Sequence, residues 1–327
     1  GYYRADKAAV WMLLARLYLN AEVYTGTAQW AKAAEYAKKV MTSDYRLNTT
    51  ATGPWSAYQK LFMGDNGETS AAYEGVFRIA QDGVKTTSWA GTCFLMASTF
   101  DGNMHADVSG VRPHATNGTG QTWGGNRARK ELVEKFFPND DAPNVSCTQM
   151  PAAANDDRAI FDGIGRTIDN GEGSMGHFTD GFAVAKWNNF KTDGSEGHND
   201  TYPDTDFFLF RVAEANLIYA EATARLNGGT TTADGTAAIN ALRSRAHAIT
   251  KVGYTLKDIC DEWSREFYFE GLRRPTLIRF GYFGGNNNYN WSYKGGAKNG
   301  RNFPATKNVF AIPADQVKGE LVQNPGY

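Results

Sequence analysis

The sequence predicts a mainly α-helical protein in which paired helices form a scaffold and long irregular loops connect them. Amphipathic helical patterns lie near residues 7–41 and 209–270 of the 327-residue chain, and the first also matches the spacing of a known two-helix repeat. Between them, residues 44–205 are rich in Gly, Asn, Asp, Ser and Thr and contain few periodic segments. These observations predict helical pairs, long loops and little β-structure.

Residues 7–24 form the clearest helical pattern. Apolar side chains recur every three or four residues, which predicts one buried face formed by Val10, Leu13, Leu14, Leu17, Tyr18 and Ala21. Trp11-x-x-Leu14-Ala15-x-x-Tyr18 matches the tetratricopeptide pattern, with Ala in place of Gly. A second helix is predicted over 28–41, where several alanines would let two helices approach closely.

A related set of helices is predicted in the C-terminal half, over 209–226 and 236–249. Thr255-x-x-Asp258 then predicts a capping box that opens a further helix through about Glu270, and Pro275 limits or kinks that helix. The apolar face of this helix would consist of Leu256, Ile259, Cys260, Trp263 and Phe267. In the loop-rich middle, a short helix is predicted over 128–137 and a strand over 74–80.

The charge balance excludes one class of partner. The chain has 34 basic and 35 acidic residues and a formal net charge of −1, so it has no overall field to attract a phosphate backbone. We therefore expect no nucleic-acid partner. No apolar run approaches the roughly 20 residues that a membrane-spanning helix requires.

Three glutamates, Glu262, Glu266 and Glu270, recur every four residues on one predicted helix. Glycosidases use a pair of carboxylates that face each other across a sugar, whereas carboxylates stacked along one helix lie side by side. Arg265 lies on the same helix, and Arg273 and Arg274 follow it. Ion pairing with these arginines is the interpretation that the spacing favours.

Two loop ends are rich in oxygen ligands, Asp65-Asn66-Gly67 and Asp204-x-Asp206. Such residues are compatible with a structural calcium ion, but the EF-hand spacing is absent and turn or capping roles are favoured. No cofactor is required by the patterns in this chain.

Aromatic residues in loops give the clearest functional indication. Trp89, Trp123 and Trp291 each lie among Gly, Asn, Ser and Thr, where a large ring is poorly placed to enter a core. Exposed rings mark contact surfaces, and an amphipathic ring suits a ligand with apolar and hydroxylated faces. A pyranose has this character, although packing between loops is the alternative for each tryptophan. Candidate hydrogen-bonding residues near the first two are Asp101, Asn103, Arg112 and Asn126.

Several stretches together resemble the SusD/RagB-like glycan-binding proteins of Bacteroidetes outer membranes. Residues 9–40 resemble the tetratricopeptide-like segment of that family, and FFLFRVAEANLIYAEATARLN with AAINALRSRA resembles its central helices. REFYFEGLRR…LIRFG resembles its R-x-E-x-x-F-E-G-x-R-x-x-D-L-x-R signature, with Pro275-Thr276 as a departure. FAIPADQVKGELVQNPGY resembles its I-P…Q-N-P-G-Y ending.

This resemblance implies a single SusD-like domain without the usual N-terminal part. Its expected regions are a tetratricopeptide-like helix pair (1–43), a ligand-binding region (44–205), a helical scaffold (206–280), and a loop with a C-terminal tail (281–327). It implies a non-catalytic, surface-exposed lipoprotein of the outer membrane that binds oligosaccharide or polysaccharide and delivers it to a SusC-like TonB-dependent transporter. The signal and lipid-bearing cysteine of such proteins are not in this sequence.

Residues 61–98 resemble the starch-binding members of the family in particular, which implies an α-glucan ligand at the Trp89 and Trp123 regions. Two other functions stay open at this stage. A glycoside-active enzyme would need facing carboxylates near the loop aromatics. A protein-binding tetratricopeptide scaffold would need an exposed concave groove between its helices.

Overall fold

The computed structural model describes residues 3–102, 104, 117–168 and 176–327. Helices dominate this part of the chain and the strands are short, as the sequence predicts. The α-helices are α1 (Lys7–Leu19), α2 (Ala21–Thr25), α3 (Trp30–Met41), α4 (Thr92–Thr99), α5 (Lys130–Val133), α6 (Met150–Ala154), α7 (Val212–Leu226), α8 (Ala233–Arg245), α9 (Leu256–Phe267) and α10 (Arg273–Arg279). The strands are β1 (Gly75–Ile79), β2 (Phe161–Asp162), β3 (Ala183–Val184) and β4 (Phe207–Arg211).

The scaffold is a set of helices packed around α3 and α7. Helix α3 packs against both α1 and α7, and α7 also packs against α8 and α9. Ala33, Ala34 and Ala37 of α3 are buried in this contact. Because alanine adds almost no bulk, the helix backbones approach closely at this contact.

The predicted buried face of the first helix is wrong for Val10, Leu13 and Leu17, which are each about half exposed. Of its other members, Ala21 is buried, and Leu14 and Tyr18 are half-buried. The buried residues of α1 are instead Ala8, Ala9, Met12, Ala15 and Leu19. Close packing of the helices places the alanine-containing face of α1 in the core. Apolar periodicity alone does not distinguish this face from the larger apolar stripe that is exposed.

The first helix is also shorter than the predicted 7–24. It begins at Lys7, where the Asp6 side chain accepts a hydrogen bond from the Ala9 N–H, and it ends at Leu19. Asn20 separates it from the short helix α2, which is capped at its C-terminal end by Gly26 in the left-handed region with φ 72°.

The capping box predicted at the start of α9 is confirmed. The Thr255 side chain accepts from the Asp258 N–H, and the Asp258 side chain accepts from the Thr255 N–H. This helix ends at Phe267, and Pro275 does not kink it. Pro275 instead lies in the first turn of α10. Backbone N–H groups in a first turn have no acceptor within the helix, so a proline there breaks no helical hydrogen bond.

The middle of the chain is held by two small sheets and two aromatic-rich cores. Strand β1 confirms the predicted strand and pairs antiparallel with β4, while β2 pairs antiparallel with β3. The helix predicted over 128–137 is reduced to the single turn α5. Trp187 and Phe190 lie in one core, and Phe161 and Phe182 lie in the other. Long loops are therefore anchored on a compact interior.

No helix in the described ranges combines the length and apolar character needed to cross a lipid bilayer.

Candidate functional site

An exposed aromatic cluster lies at the surface of the loop-rich region. The indole rings of Trp89 and Trp123 stack with their centres 6.0 Å apart and their planes inclined by 26°. Tyr202 meets Trp89 edge-on, and Phe94 meets Trp123 edge-on. Trp89 is 49% exposed and Trp123 is 42% exposed. Rings left this open by a folded chain form a contact surface.

Helix α4 carries this cluster on its outer face. Its Cys93, Met96 and Ala97 are buried, whereas Phe94 is 47% exposed. The Cys93 thiol also donates to the Thr201 carbonyl at 3.4 Å, which holds the loop bearing Tyr202 against the helix. Burial raises the pKa of this thiol, so Cys93 stays protonated and acts as an anchor.

The C-terminal end of α4 positions Trp123. The last carbonyls of a helix have no partner within the helix and need donors from elsewhere. The Trp123 N–H donates to the Ala97 carbonyl at 2.7 Å, and the Asn126 N–H donates to the Ser98 carbonyl at 2.7 Å. The segment that carries Trp123 is therefore fixed by the helix end rather than free at the surface.

A buried ion pair supports the Trp123 segment from below. Asp101 is buried, and its Oδ2 accepts from Arg166 Nη2 at 2.7 Å. Gly124 lies directly against it, because a Cβ on Gly124 would stand 2.5 Å from the Asp101 Cβ. Gly124 also has φ +64°, a conformation that side chains rarely adopt. Both the close approach to Asp101 and the positive φ therefore require glycine at position 124.

Of the predicted site residues, the structure brings Trp89 and Trp123 together, binds Asn126 to the end of α4, and places Asp101 against Gly124 of the Trp123 turn. Asn126 is half-buried, and its side-chain amide donates to the Ser98 hydroxyl at 3.0 Å. Asn103 and Arg112 lie outside the described residues.

Two members of the cluster, Phe94 and Tyr202, were not predicted from the sequence. Tyr202 has the same signal as the tryptophans, an aromatic ring among Asn, Asp and Thr. Phe94 sits in an apolar run, and its exposure follows only from the rotation of α4.

Trp291 belongs to a second aromatic group. Its ring packs near Phe283 and Phe303, with ring centres 5.9 and 6.1 Å away. The rings of Trp291 and Phe283 border a cavity of about 390 Å³ whose other walls include residues of α5, α9 and α10. Burial raises the pKa of Tyr289 in this wall to about 12, so its hydroxyl stays neutral and accepts from Arg273 at 2.7 Å.

The three glutamates of α9 are buried in ion pairs. The Glu262 carboxylate accepts from Arg158 at 2.8 Å, Arg243 at 2.7 Å and Arg265 at 2.8 Å. Burial by itself disfavours the charged form, but the three arginines outweigh it and lower the pKa of Glu262 to about 2. This carboxylate is therefore ionised at neutral pH.

Glu266 and Glu270 are held in the same way. Glu266 pairs with Arg158, Arg211 and Arg245, and these arginines lower its pKa despite complete burial. Glu270 pairs with Lys186 at 2.7 Å and with Arg211 at 2.9 Å.

The ion pairing predicted for the three glutamates is thus confirmed, but most of its predicted partners are wrong. Of the three arginines named, only Arg265 binds one of them. Arg273 reaches Tyr289, and Arg274 donates to the carbonyls of Lys307 and Asn308. The glutamates bind arginines from distant elements instead. They tie the scaffold together and do not line the aromatic surface.

The acidic loop ends act as turn and cap acceptors. Asp204 accepts from the N–H groups of Gly83 at 2.8 Å and His198 at 2.9 Å. Asp65 accepts from the Thr192 N–H and hydroxyl at 2.9 and 2.6 Å. Burial raises the pKa of Asp206, which accepts from the Gln81 N–H. Among the residues that the structure describes, no group of three or more His, Cys, Asp or Glu side chains is arranged to hold a metal ion.

The fold and this surface define a helical-repeat scaffold that carries exposed aromatic rings. The SusD family model matches residues 26–327, and the chain belongs to that family. The predicted family is thereby confirmed. The chain is 41% identical over 360 aligned residues to the starch-binding protein SusD of Bacteroides thetaiotaomicron. The alignment covers 99% of this chain and 61% of SusD, so the chain spans about three fifths of that relative.

Solved structures share the same fold. Surface glycan-binding protein A from Bacteroides uniformis superposes with a TM-score of 0.63 at 19% identity, covering 99% of this chain and 62% of that one. Surface glycan-binding protein A from Bacteroides thetaiotaomicron in complex with laminarihexaose gives a TM-score of 0.60 at 20% identity, covering 99% and 65%.

Proposed function

We propose that this chain forms the glycan-binding part of a non-catalytic carbohydrate-binding protein. The stacked, half-exposed pair of Trp89 and Trp123 carries the proposal. The C–H face of a pyranose packs on an indole ring, while nearby polar groups bind its hydroxyls. Asn126 is the described candidate for such a hydrogen bond, and Asn103 and Arg112 keep that role as sequence-based proposals.

The ligand that fits best is an α-glucan of the starch type. The two indole planes are inclined by 26° and do not form one flat platform, which suits a chain that curves along its length. The relative with 41% identity is a starch-binding protein, which supports the same ligand class. Asp101 contributes by packing against Gly124 of the Trp123 turn, and Arg166 holds its buried carboxylate in place.

The proposed role is binding without catalysis. Glycoside hydrolysis requires two carboxylates about 5–9.5 Å apart on either side of the scissile bond. Glu262, Glu266 and Glu270 lie on one face of α9 and are neutralised by basic side chains. The aromatic surface and the carboxylates of α9 therefore belong to different parts of the molecule, and an enzyme is not supported.

We further propose that the protein acts at the outer surface of the outer membrane as a lipoprotein. It would deliver bound oligosaccharide to a SusC-like TonB-dependent transporter. Family membership supports this assignment. Co-purification of the full-length protein with such a transporter tests the partner, although a protein-binding scaffold would give the same result. Sugar binding separates the two functions.

No cofactor is proposed for binding, and a structural calcium ion at the acidic loops stays a separate proposal. Chelation with EDTA tests both. We expect the glycan affinity to be unchanged, and a lower melting temperature restored by calcium would support the structural ion.

Isothermal titration of the full-length protein with maltoheptaose, laminarihexaose and a xyloglucan oligosaccharide tests the function. We expect binding, with preference for maltoheptaose and with no release of shorter products on long incubation. Absence of binding to every glycan in the panel would falsify the proposal. Product release would instead support an enzyme.

Trp291 is proposed as a separate glycan contact beside the cavity next to α9 and α10. Trp291 belongs to the aromatic group that contains Phe283 and Phe303. Its replacement should therefore remove a second class of glycan-binding sites and leave the Trp89–Trp123 surface intact. The titration stoichiometry of Trp291→Ala measures this, and an unchanged stoichiometry contradicts it.

A further inference from the structure

Another exposed ring, that of Phe178, lies beside the Trp123 turn. Phe178 is 54% exposed, the same range as the two tryptophans. It lies in a different loop from either of them, and the sequence patterns do not single it out. An aromatic side chain this exposed, next to an established aromatic surface, is a candidate for extending it.

Two arginines fix the Phe178 loop to the Trp123 turn. Arg127 donates through Nη1 to the Gly124 carbonyl at 2.9 Å and through Nε to the Asp180 carbonyl at 2.6 Å. Arg166 donates through Nη1 to the Phe178 carbonyl at 2.9 Å and through Nη2 to Asp101 at 2.7 Å. Arg127 therefore joins the Phe178 loop to the Trp123 turn directly, and Arg166 joins the same loop to Asp101, against which Gly124 packs.

Arg127 also orients the Phe178 ring. Its guanidinium carbon lies over the ring, 5.6 Å from the ring centre. A guanidinium placed over an aromatic face attracts it, so the ring has a preferred position. More than half of the residue nonetheless remains open to solvent. The ring is held in place and is still available to a ligand.

We propose that Phe178 is a second stacking platform and that the surface binds an extended oligosaccharide which reaches from Trp89 and Trp123 to Phe178. This inference rests on the proposed function and adds a length requirement to it. A short oligosaccharide occupies the tryptophan pair alone. A longer one continues past Gly124 and Arg127 and gains the contact with Phe178.

Titration of the full-length wild-type protein and of Phe178→Ala with maltotriose and maltoheptaose tests the inference. We expect Phe178→Ala to weaken maltoheptaose binding by about tenfold, the usual scale for loss of one well-placed aromatic contact. Maltotriose binding should not change. Phe178→Trp should retain the affinity for maltoheptaose, because the platform is restored.

Phe310→Ala is a matched control. Phe310 is also an exposed phenylalanine, and the guanidinium of Arg274 lies over its ring at 3.9 Å. This control should leave both affinities unchanged.

Three outcomes overturn the inference. If Phe178→Ala binds maltoheptaose as the wild type does, Phe178 does not contact the glycan, and the proposed function is unaffected. Equal loss for both ligands shows that Phe178 supports the fold of the tryptophan surface instead. Failure of the wild-type protein to bind either ligand overturns the α-glucan function itself, and the length requirement falls with it.

Discussion

The indole rings of Trp89 and Trp123 stack at 6.0 Å between centres although they lie in two separate loops. The end of helix α4 holds the Trp123 segment, and Tyr202 braces Trp89 from the side. The contact is therefore preformed, and a ligand need not spend binding energy on ordering the rings. The exposure of both rings is what the proposed glycan contact requires.

Replacement of either tryptophan should abolish most of the glycan affinity. For Trp123→Ala and Trp89→Ala we expect at least a tenfold loss, because each ring supplies a stacking face. Both side chains are about half exposed, so the free energy of unfolding should change little. Titration calorimetry and urea denaturation measure the two quantities.

Tyr24→Ala serves as the control for these variants, since Tyr24 is 65% exposed in α2, outside the loops that carry the cluster. Its affinity should equal that of the wild type. Retained binding by both tryptophan variants would show that the glycan binds elsewhere.

Gly124 offers a test of how the Trp123 turn is held. Gly124→Ala should weaken glycan binding and lower stability by about 1–3 kcal/mol, because the new Cβ would meet the Asp101 Cβ at 2.5 Å in a left-handed conformation. The neighbouring Gly125→Ala is the matched control, as a Cβ there meets nothing within 4 Å. Equal behaviour of the two variants would contradict the close approach at Gly124.

Glu266 should be essential for stability and irrelevant to glycan contact. Glu266→Gln removes the charge that neutralises Arg158, Arg211 and Arg245, and breaking a buried pair in this way costs roughly 3–5 kcal/mol. Glu35→Gln is the control, since the exposed Glu35–Lys39 pair should contribute little to stability. Chemical denaturation measures both, and a Glu266→Gln variant as stable as the control would refute the role.

Stability should fall in acid through Glu262. The folded-state pKa of this carboxyl is about 2, below its ordinary value of 4.5, so the unfolded chain binds the proton first as the pH falls. The stabilisation from Glu262 is therefore complete above pH 4.5 and is lost as the pH approaches 2. Denaturant unfolding at a series of pH values should show this slope, and Glu262→Gln should show a shallower one. Identical slopes would mean that other groups dominate.

Local patterns determined much of the scaffold. The capping box of α9, the strand at 75–79 and the buried alanines of α3 follow from side-chain spacing and from which groups a helix terminus must satisfy. Other features depended on packing. The apolar stripe of α1 that faces solvent and the one that faces α3 look alike in sequence, and only the close approach of the helices distinguishes them.

The sequence by itself determined the family and identified Trp89 and Trp123 as rings unlikely to be core, because an aromatic residue among Gly, Asn and Thr lacks an apolar face to join. Only the tertiary structure decided that these two rings stack, that Phe94 and Tyr202 meet them edge-on, and that Arg158 and Arg211 neutralise the glutamates of α9. The physical reason is that these contacts join residues far apart in the chain. Their geometry depends on how helices and loops pack, which no local spacing records.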